Sequence, residues 1–340
     1  MSLNAPNRMF LEITTECNLR CQLCKLWKNK DPVGKLSTNE KIQIIETLAF
    51  WLKNQTNSSL SHFSIIFTGG EPFRYPNQVL KLANTCGEIG FQSYVNTNGV
   101  LIQPFISKMV NSGLTAVTFS LDSHQASVHD TLRGFSGVFE TVVDNIRKML
   151  IERENSKSNQ KIFVQSILGK WNVDVIDEHI IFFSELGVDG LTFQCLQYPF
   201  GLKIPANWHI GHPFYPSLDS VKRASKKLLE MKDQGYKINN SEEEISWWEL
   251  YFKNPQYLPD QYKVCKASEQ NIIIDVLGNV KFCFNKQLDP PYRIGNIARD
   301  KLDELWNGKN AQNVRQEMKN CNRSCGIMLC HCDSRLREQR

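Results

Sequence analysis

Cys17, Cys21 and Cys24 stand within eight residues, in "ECNLRCQLC", although the whole chain holds only 11 Cys among 340 residues. Thiols this close together suit a disulfide, a zinc knuckle or thiolate ligation of an iron–sulfur cluster, with inert buried thiols as the plain alternative. The N-terminal "MSLNAPNRMF" lacks a basic stretch followed by an apolar one, so no secretory signal is predicted. No apolar run approaches the ~20 residues of a membrane helix. A cytoplasmic chain is therefore expected, in which thiols stay reduced and clustered Cys bind metal more often than each other. A zinc knuckle needs a fourth close Cys or His, and the nearest His is His62. A 4Fe–4S cluster takes four ligands, so three thiolates leave one iron open, as catalytic zinc keeps a position open for substrate.

A loop of this kind must be held by rigid elements. With 41% hydrophobic and 22% charged residues the chain has an ordinary globular balance, enough for a main domain and a smaller one. The net charge of +5 is scattered, without a basic stripe carrying interleaved aromatics, so no nucleic-acid partner is expected. Short β-branched and aromatic runs at 8–15, 63–70, 91–99, 115–122, 161–168 and 189–197 read as strands. Amphipathic segments at 39–54, 77–89, 102–113, 137–152 and 175–187 lie between them. Six such alternations imply right-handed βαβ units around a parallel sheet, with active groups at the C-terminal strand ends. The pattern breaks at 198–216, a Pro-, Gly- and aromatic-rich loop; two further helices are predicted at 218–234 and 241–252. From about 262 a hairpin turning at "LGN", a helix and a Cys-rich end follow.

Cys17-x3-Cys21-x2-Cys24 after an early strand resembles the signature of the radical S-adenosylmethionine (SAM) enzymes. "GGEP" at 69–72, "NTNG" at 96–99 and "SLDS" at 120–123 with the helix beyond it extend the resemblance over the first 200 residues. It implies a partial (β/α)6 TIM-like barrel whose cluster is held by Cys17, Cys21 and Cys24. It also implies that SAM is contacted by Gly69, Gly70, Glu71, Asn98, Ser120 and Arg133. Leu23 stands where the family usually has an aromatic residue. The implied chemistry is reductive cleavage of SAM to a 5′-deoxyadenosyl radical that takes a hydrogen from substrate, the cofactor carrying the hard step. An external one-electron reductant, such as flavodoxin or ferredoxin, goes with it.

Cys265-x12-Gly278-x4-Cys283 and the "IGNIARDKLDELWNG" stretch resemble the SPASM and twitch extensions, which carry auxiliary clusters. The resemblance implies at least one auxiliary 4Fe–4S cluster. Its expected ligands are Cys265 and Cys283, two more coming from the terminal run, Cys321 and Cys325 ahead of Cys330 and Cys332. The iron content would be about 8 per chain for one auxiliary cluster and about 12 for two. Expected domains are 1–200 for the barrel, 201–260 for a loop and helices covering the site, and 261–340 for the auxiliary-cluster unit. The expected reaction is a two-electron oxidation, rearrangement or cross-link of a small metabolite, the auxiliary cluster accepting an electron. Maturation of a ribosomally made peptide is the alternative, and a non-catalytic iron–sulfur carrier or scaffold the reading from another class. His209, His212 and Tyr215 are candidate pocket contacts, whereas Cys86 and Cys195 fall in helix and strand patterns as core thiols.

Overall fold

The computed structural model describes residues 5–55, 59–199, 202–255, 266–284 and 292–321. Six parallel strands run in sequence order across a sheet: β1 (Arg8–Thr14), β2 (Ser64–Gly69), β3 (Gln92–Thr97), β4 (Ala116–Ser120), β5 (Lys161–Leu168) and β6 (Gly190–Cys195). Helices α1 (Thr38–Gln55), α2 (Pro76–Ile89), α3 (Ile106–Val110), α4 (Ala126–Arg133), α5 (Val138–Asn155) and α6 (Ile176–Glu185) connect them. Then come α7 (Leu218–Asp233), α8 (Glu242–Lys253) and the short α9 (Ala267–Gln270). Strand β7 (Asn271–Ile274) lies parallel to β1, with Phe10 opposite Ile273. Antiparallel β8 (Asn279–Lys281) and β9 (Arg293–Asn296) complete a nine-stranded sheet, and α10 (Leu302–Asn307) and α11 (Lys309–Lys319) close the described chain.

The two faces of the sheet differ because side chains alternate along a strand. Met9, Leu11, Ile13, Ile65, Phe67, Val95, Val117, Phe119, Ile162 and Val164 point to the helices and are buried. The register puts Phe10, Glu12, Thr68, Tyr94, Asn96, Ser120, Gln165 and Gln194 on the opposite face, where each stays partly exposed. A parallel sheet ordinarily buries both faces. Here that face is mixed, with partly exposed polar side chains beside the apolar Phe10, Ile66, Phe163 and Ile167.

The hairpin expected around Gly278 is present, its turn tied by Asp275 Oδ1, which accepts from the backbone N–H groups of Leu277 and Asn279. Two elements had no clear periodicity to announce them. Helix α4 buries only His129 and Leu132, and β9 is four residues long. The segment after β6 folds into an aromatic knot: Trp208 lies 5.5 Å from both His212 and Tyr215, and Phe214 packs on Trp171 at 5.7 Å. No described helix is long and apolar enough to cross a membrane.

Candidate active site

The chain leaves β1 at Thr14 and enters the cysteine loop. Asp31, beyond the third cysteine, clasps the start of that loop. Its Oδ1 accepts from Thr14 Oγ1 and Thr15 N, both at 2.7 Å. Its Oδ2 meets Lys35 Nζ at 2.5 Å and Tyr75 Oη at 3.0 Å. Burial alone would raise this carboxyl, but the donors from Lys35, Thr15, Thr14 and Tyr75 outweigh it and hold it well below the usual carboxylate range.

The Gly69–Gly70 turn at the end of β2 lies directly against the same loop. Gly70 N donates to Thr14 O at 2.7 Å and Glu71 N to Glu16 O at 2.8 Å. A Cβ on Gly69 would sit 2.2 Å from Thr14 O, and one on Gly70 2.0 Å from Glu16 O. Gly69 also has φ +123°, a conformation other residues rarely adopt. The pair is therefore required by the loop's proximity. The Glu71 carboxylate turns inward and is 1% exposed. It accepts from Phe73 N, Thr97 Oγ1 and Asn98 N at 2.9, 2.7 and 2.7 Å, while burial pushes its pKa up. Its visible work is to clasp the ends of β2 and β3 together.

Each of the three sulfurs meets an N–H group. Asn98 Nδ2 approaches Cys17 Sγ at 3.8 Å, Arg133 Nη1 approaches Cys21 Sγ at 3.8 Å, and Leu26 N donates to Cys24 Sγ at 3.4 Å. Arg133 ends α4 and also donates to Ser120 O at 2.9 Å and pairs with Asp122 Oδ2 at 2.7 Å. Asp122 Oδ1 in turn accepts from Ile167 N at 3.0 Å, and its carbonyl accepts from Trp171 Nε1 and Asn172 Nδ2. Ser120, Arg133 and Asp122 thus join β4, α4 and β5 behind the cysteine loop. Gly69, Gly70, Glu71, Asn98, Ser120 and Arg133 all gather within one hydrogen-bonded shell around Cys17, Cys21 and Cys24.

These residues fit a cluster with SAM. Three half-buried thiols with N–H and guanidinium neighbours suit thiolate ligation. The buried Nε of Arg133 has no acceptor among the described groups, so it can serve an anionic ligand. Burial raises the Cys17 thiol to about 11 and pushes Cys24 upward too, so iron binding must expel their protons. Among the described residues no three His, Cys, Asp or Glu side chains gather tightly enough for a single metal ion.

In the second set, Cys283 follows β8 and Cys321 follows α11, both half-buried. Cys265, Cys325, Cys330 and Cys332 lie outside the described residues. Beside Cys283 the hairpin brings Lys281 to the sheet face that carries Phe10 and Glu12. Lys281 pairs with Asp275 at 3.2 Å, and Glu12 of β1 faces both. Burial raises the Glu12 carboxyl to about 7 against the opposing pull of Lys281. Asp31 and Glu12 carry no motif that would single them out in the sequence, whereas Asp122 sits inside "SLDS". Of the loop residues, Tyr215 spends its hydroxyl on Phe252 O at 3.1 Å, and His209 and His212 stack in the aromatic knot. Cys86 and Cys195 are buried in the core.

Residues 11–159 match the radical SAM superfamily and residues 265–333 match the SPASM iron–sulfur cluster-binding domain. The chain is a radical SAM protein with a C-terminal SPASM domain, and its cofactors are a SAM-binding 4Fe–4S cluster, SAM and auxiliary iron–sulfur centres. It is similar to the AdoMet-dependent heme synthase of Methanosarcina barkeri, 28% identical over 95% of this chain and 88% of that one. It is 24% identical to the PqqA peptide cyclase of Ruegeria pomeroyi, over 58% of this chain and 49% of that protein. The fold is that of Streptococcus suis SuiB bound to S-adenosylmethionine, with a TM-score of 0.69, 14% identity and coverage of 98% of this chain and 75% of that one.

Proposed function

We propose that this chain cleaves SAM reductively and oxidises or rearranges a polar substrate held against the inner face of its sheet. When bound, the clusters and SAM supply the 5′-deoxyadenosyl radical that takes a hydrogen from the substrate and an acceptor for the electron the substrate then gives up. The chain's own residues bind, orient and enclose. Cys17, Cys21 and Cys24 hold the first cluster; the Gly69–Gly70 backbone, Asn98, Ser120 and Arg133 hold SAM, with Glu71 keeping that turn in place. Cys265 and Cys283 with two of Cys321, Cys325, Cys330 and Cys332 hold an auxiliary cluster. Residues 1–200 form the barrel, 201–260 cover the site, and 261–340 form the auxiliary-cluster unit.

The observation that carries this reading is the three-thiol loop at the end of β1, each sulfur met by an N–H group of Asn98, Arg133 or Leu26. Glu12, Asp275, Lys281, Gln165 and Gln194 on or beside that inner face suit a small polar metabolite. The likeness to an AdoMet-dependent heme synthase along most of the chain supports a small-molecule substrate. The likeness to a peptide cyclase supports a second reading, maturation of a peptide. Reconstituted, dithionite-reduced protein incubated with SAM should release 5′-deoxyadenosine, and Cys17→Ala should not. Absence of the nucleoside from the intact protein would leave the carrier or scaffold reading.

A further inference from the structure

We propose that Arg315 is the buried counter-cation of the auxiliary cluster held by Cys283, giving an N–H group to its sulfur and holding its potential up. The proposal rests on the reading that Cys265, Cys283 and two of the last four cysteines ligate that cluster. Arg315 lies on α11 and is 5% exposed. Its Nε donates to Ser268 O at 3.0 Å and its Nη1 to Trp306 O at 2.6 Å. Its guanidinium carbon stands 4.6 Å from the Phe282 ring centre and 4.5 Å from that of Trp306. One side chain thereby joins the three segments that bear the second cysteine set. Ser268 is three residues after Cys265, Phe282 immediately precedes Cys283, and α11 leads to Cys321.

Packing explains only part of this arrangement. Stacked rings offset some of the cost of burying a cation, but they supply no opposing charge. Among the described residues no carboxylate forms an ion pair with Arg315; Glu269 of α9 is exposed and attracts it without such a pair. Burial lowers the Arg315 pKa to about 10, so the group stays cationic at neutral pH. Its Nη2 is buried with no acceptor, and so is Nε1 of Trp306, the ring it stacks on. Two orphaned donors on an unbalanced cation and its stacking partner point to an anionic, acceptor-rich neighbour. Four thiolates on a 4Fe–4S core make one, since they leave the oxidised cluster with a charge of about −2. The Lys281 ammonium, by contrast, is already paired with Asp275 at 3.2 Å.

The test uses the anaerobically reconstituted full chain. Redox titration followed by EPR gives the midpoint of the cluster whose signal SAM does not alter, with iron analysis and thermal unfolding alongside. Arg315→Met should make that cluster about tenfold or more harder to reduce, a midpoint about 59 mV lower for one electron. Arg315→Lys should recover most of the shift. Lys309→Met, a charge loss on the exposed surface of the same helix, should leave the midpoint unchanged. A purely structural Arg315 predicts lower melting temperatures in both Arg315 variants with the wild-type midpoint; that result overturns the proposal, as does an equal shift in Lys309→Met. If Arg315→Met fails to hold iron, the contact is read in protein grown on isotopically labelled arginine. The reduced auxiliary cluster should then couple to labelled nitrogen in pulsed EPR, and Arg315→Lys should lack that coupling. Its absence from the wild type, or its persistence in Arg315→Lys, overturns the proposal. Iron of about 4 per chain or less in the wild type would refute the auxiliary-cluster reading itself. Intact iron with an unmoved midpoint refutes only the part given to Arg315.

Discussion

The two cysteine sets are built on opposite plans. The first is contiguous: its three thiols share one loop, and residues from the ends of β2, β3 and α4, together with Asp31, reach in to hold it. The second is dispersed, with Cys283 and Cys321 separated by β9, α10 and α11. A contiguous site is made by the geometry of strand ends and is intolerant of changes there. A dispersed site depends on packing between elements, such as Trp306 of α10 against Phe282 at 5.4 Å.

The sharpest break should come at Gly70. In Gly70→Ala the new Cβ overlaps backbone that cannot move aside, a cost of about 3 kcal/mol or more, so iron at the first site and SAM cleavage should both be lost. Iron analysis and 5′-deoxyadenosine release check it. Next, Cys283→Ala should keep SAM cleavage while lowering iron by about 4 per chain, the content of one cluster. An equal loss of cleavage would show that the two sites are not separable. Asp31→Asn comes third. It removes an ion pair and weakens the clasp on Thr14 and Thr15, so thermal unfolding of the holoprotein should fall by about 1–3 kcal/mol.

The effect at Glu12 should be small near pH 5 and should grow with pH. Its folded carboxyl, at about 7, binds a proton more tightly than the unfolded group near 4.5. The stability it contributes is complete below pH 4.5 and is lost as pH rises through about 7, with Lys281, Asp275 and Lys41 as its charged neighbours. Glu12→Gln cannot ionise, so its melting temperature should gain on the wild type between pH 5 and pH 8. A pH-independent difference would refute the shifted carboxyl.

The barrel was legible because each strand carries its own signal. Run 161–168 coincides with β5, since its alternation of buried and half-open residues is complete. The cysteine loop and Gly69–Gly70 were legible as motifs. What holds them was not. Asp31 acts through contacts with Thr14, Thr15 and Tyr75 that only the folded chain creates, and Glu71 reads as a ligand contact although its carboxylate faces Phe73, Thr97 and Asn98. The pairing of β7 with β1 was equally hidden, because "NIII" carries no mark of its partner.

That pairing decides what can be cut from the molecule. Strand β1 carries the backbone into the cysteine loop, and β7 occupies its outer edge from Arg8 to Leu11. A fragment ending before residue 266 would leave "RMFL" with unsatisfied amides and carbonyls on an apolar rim. Such an edge recruits other chains. The barrel sequence alone would therefore carry an open strand edge, which the C-terminal hairpin covers in the full chain.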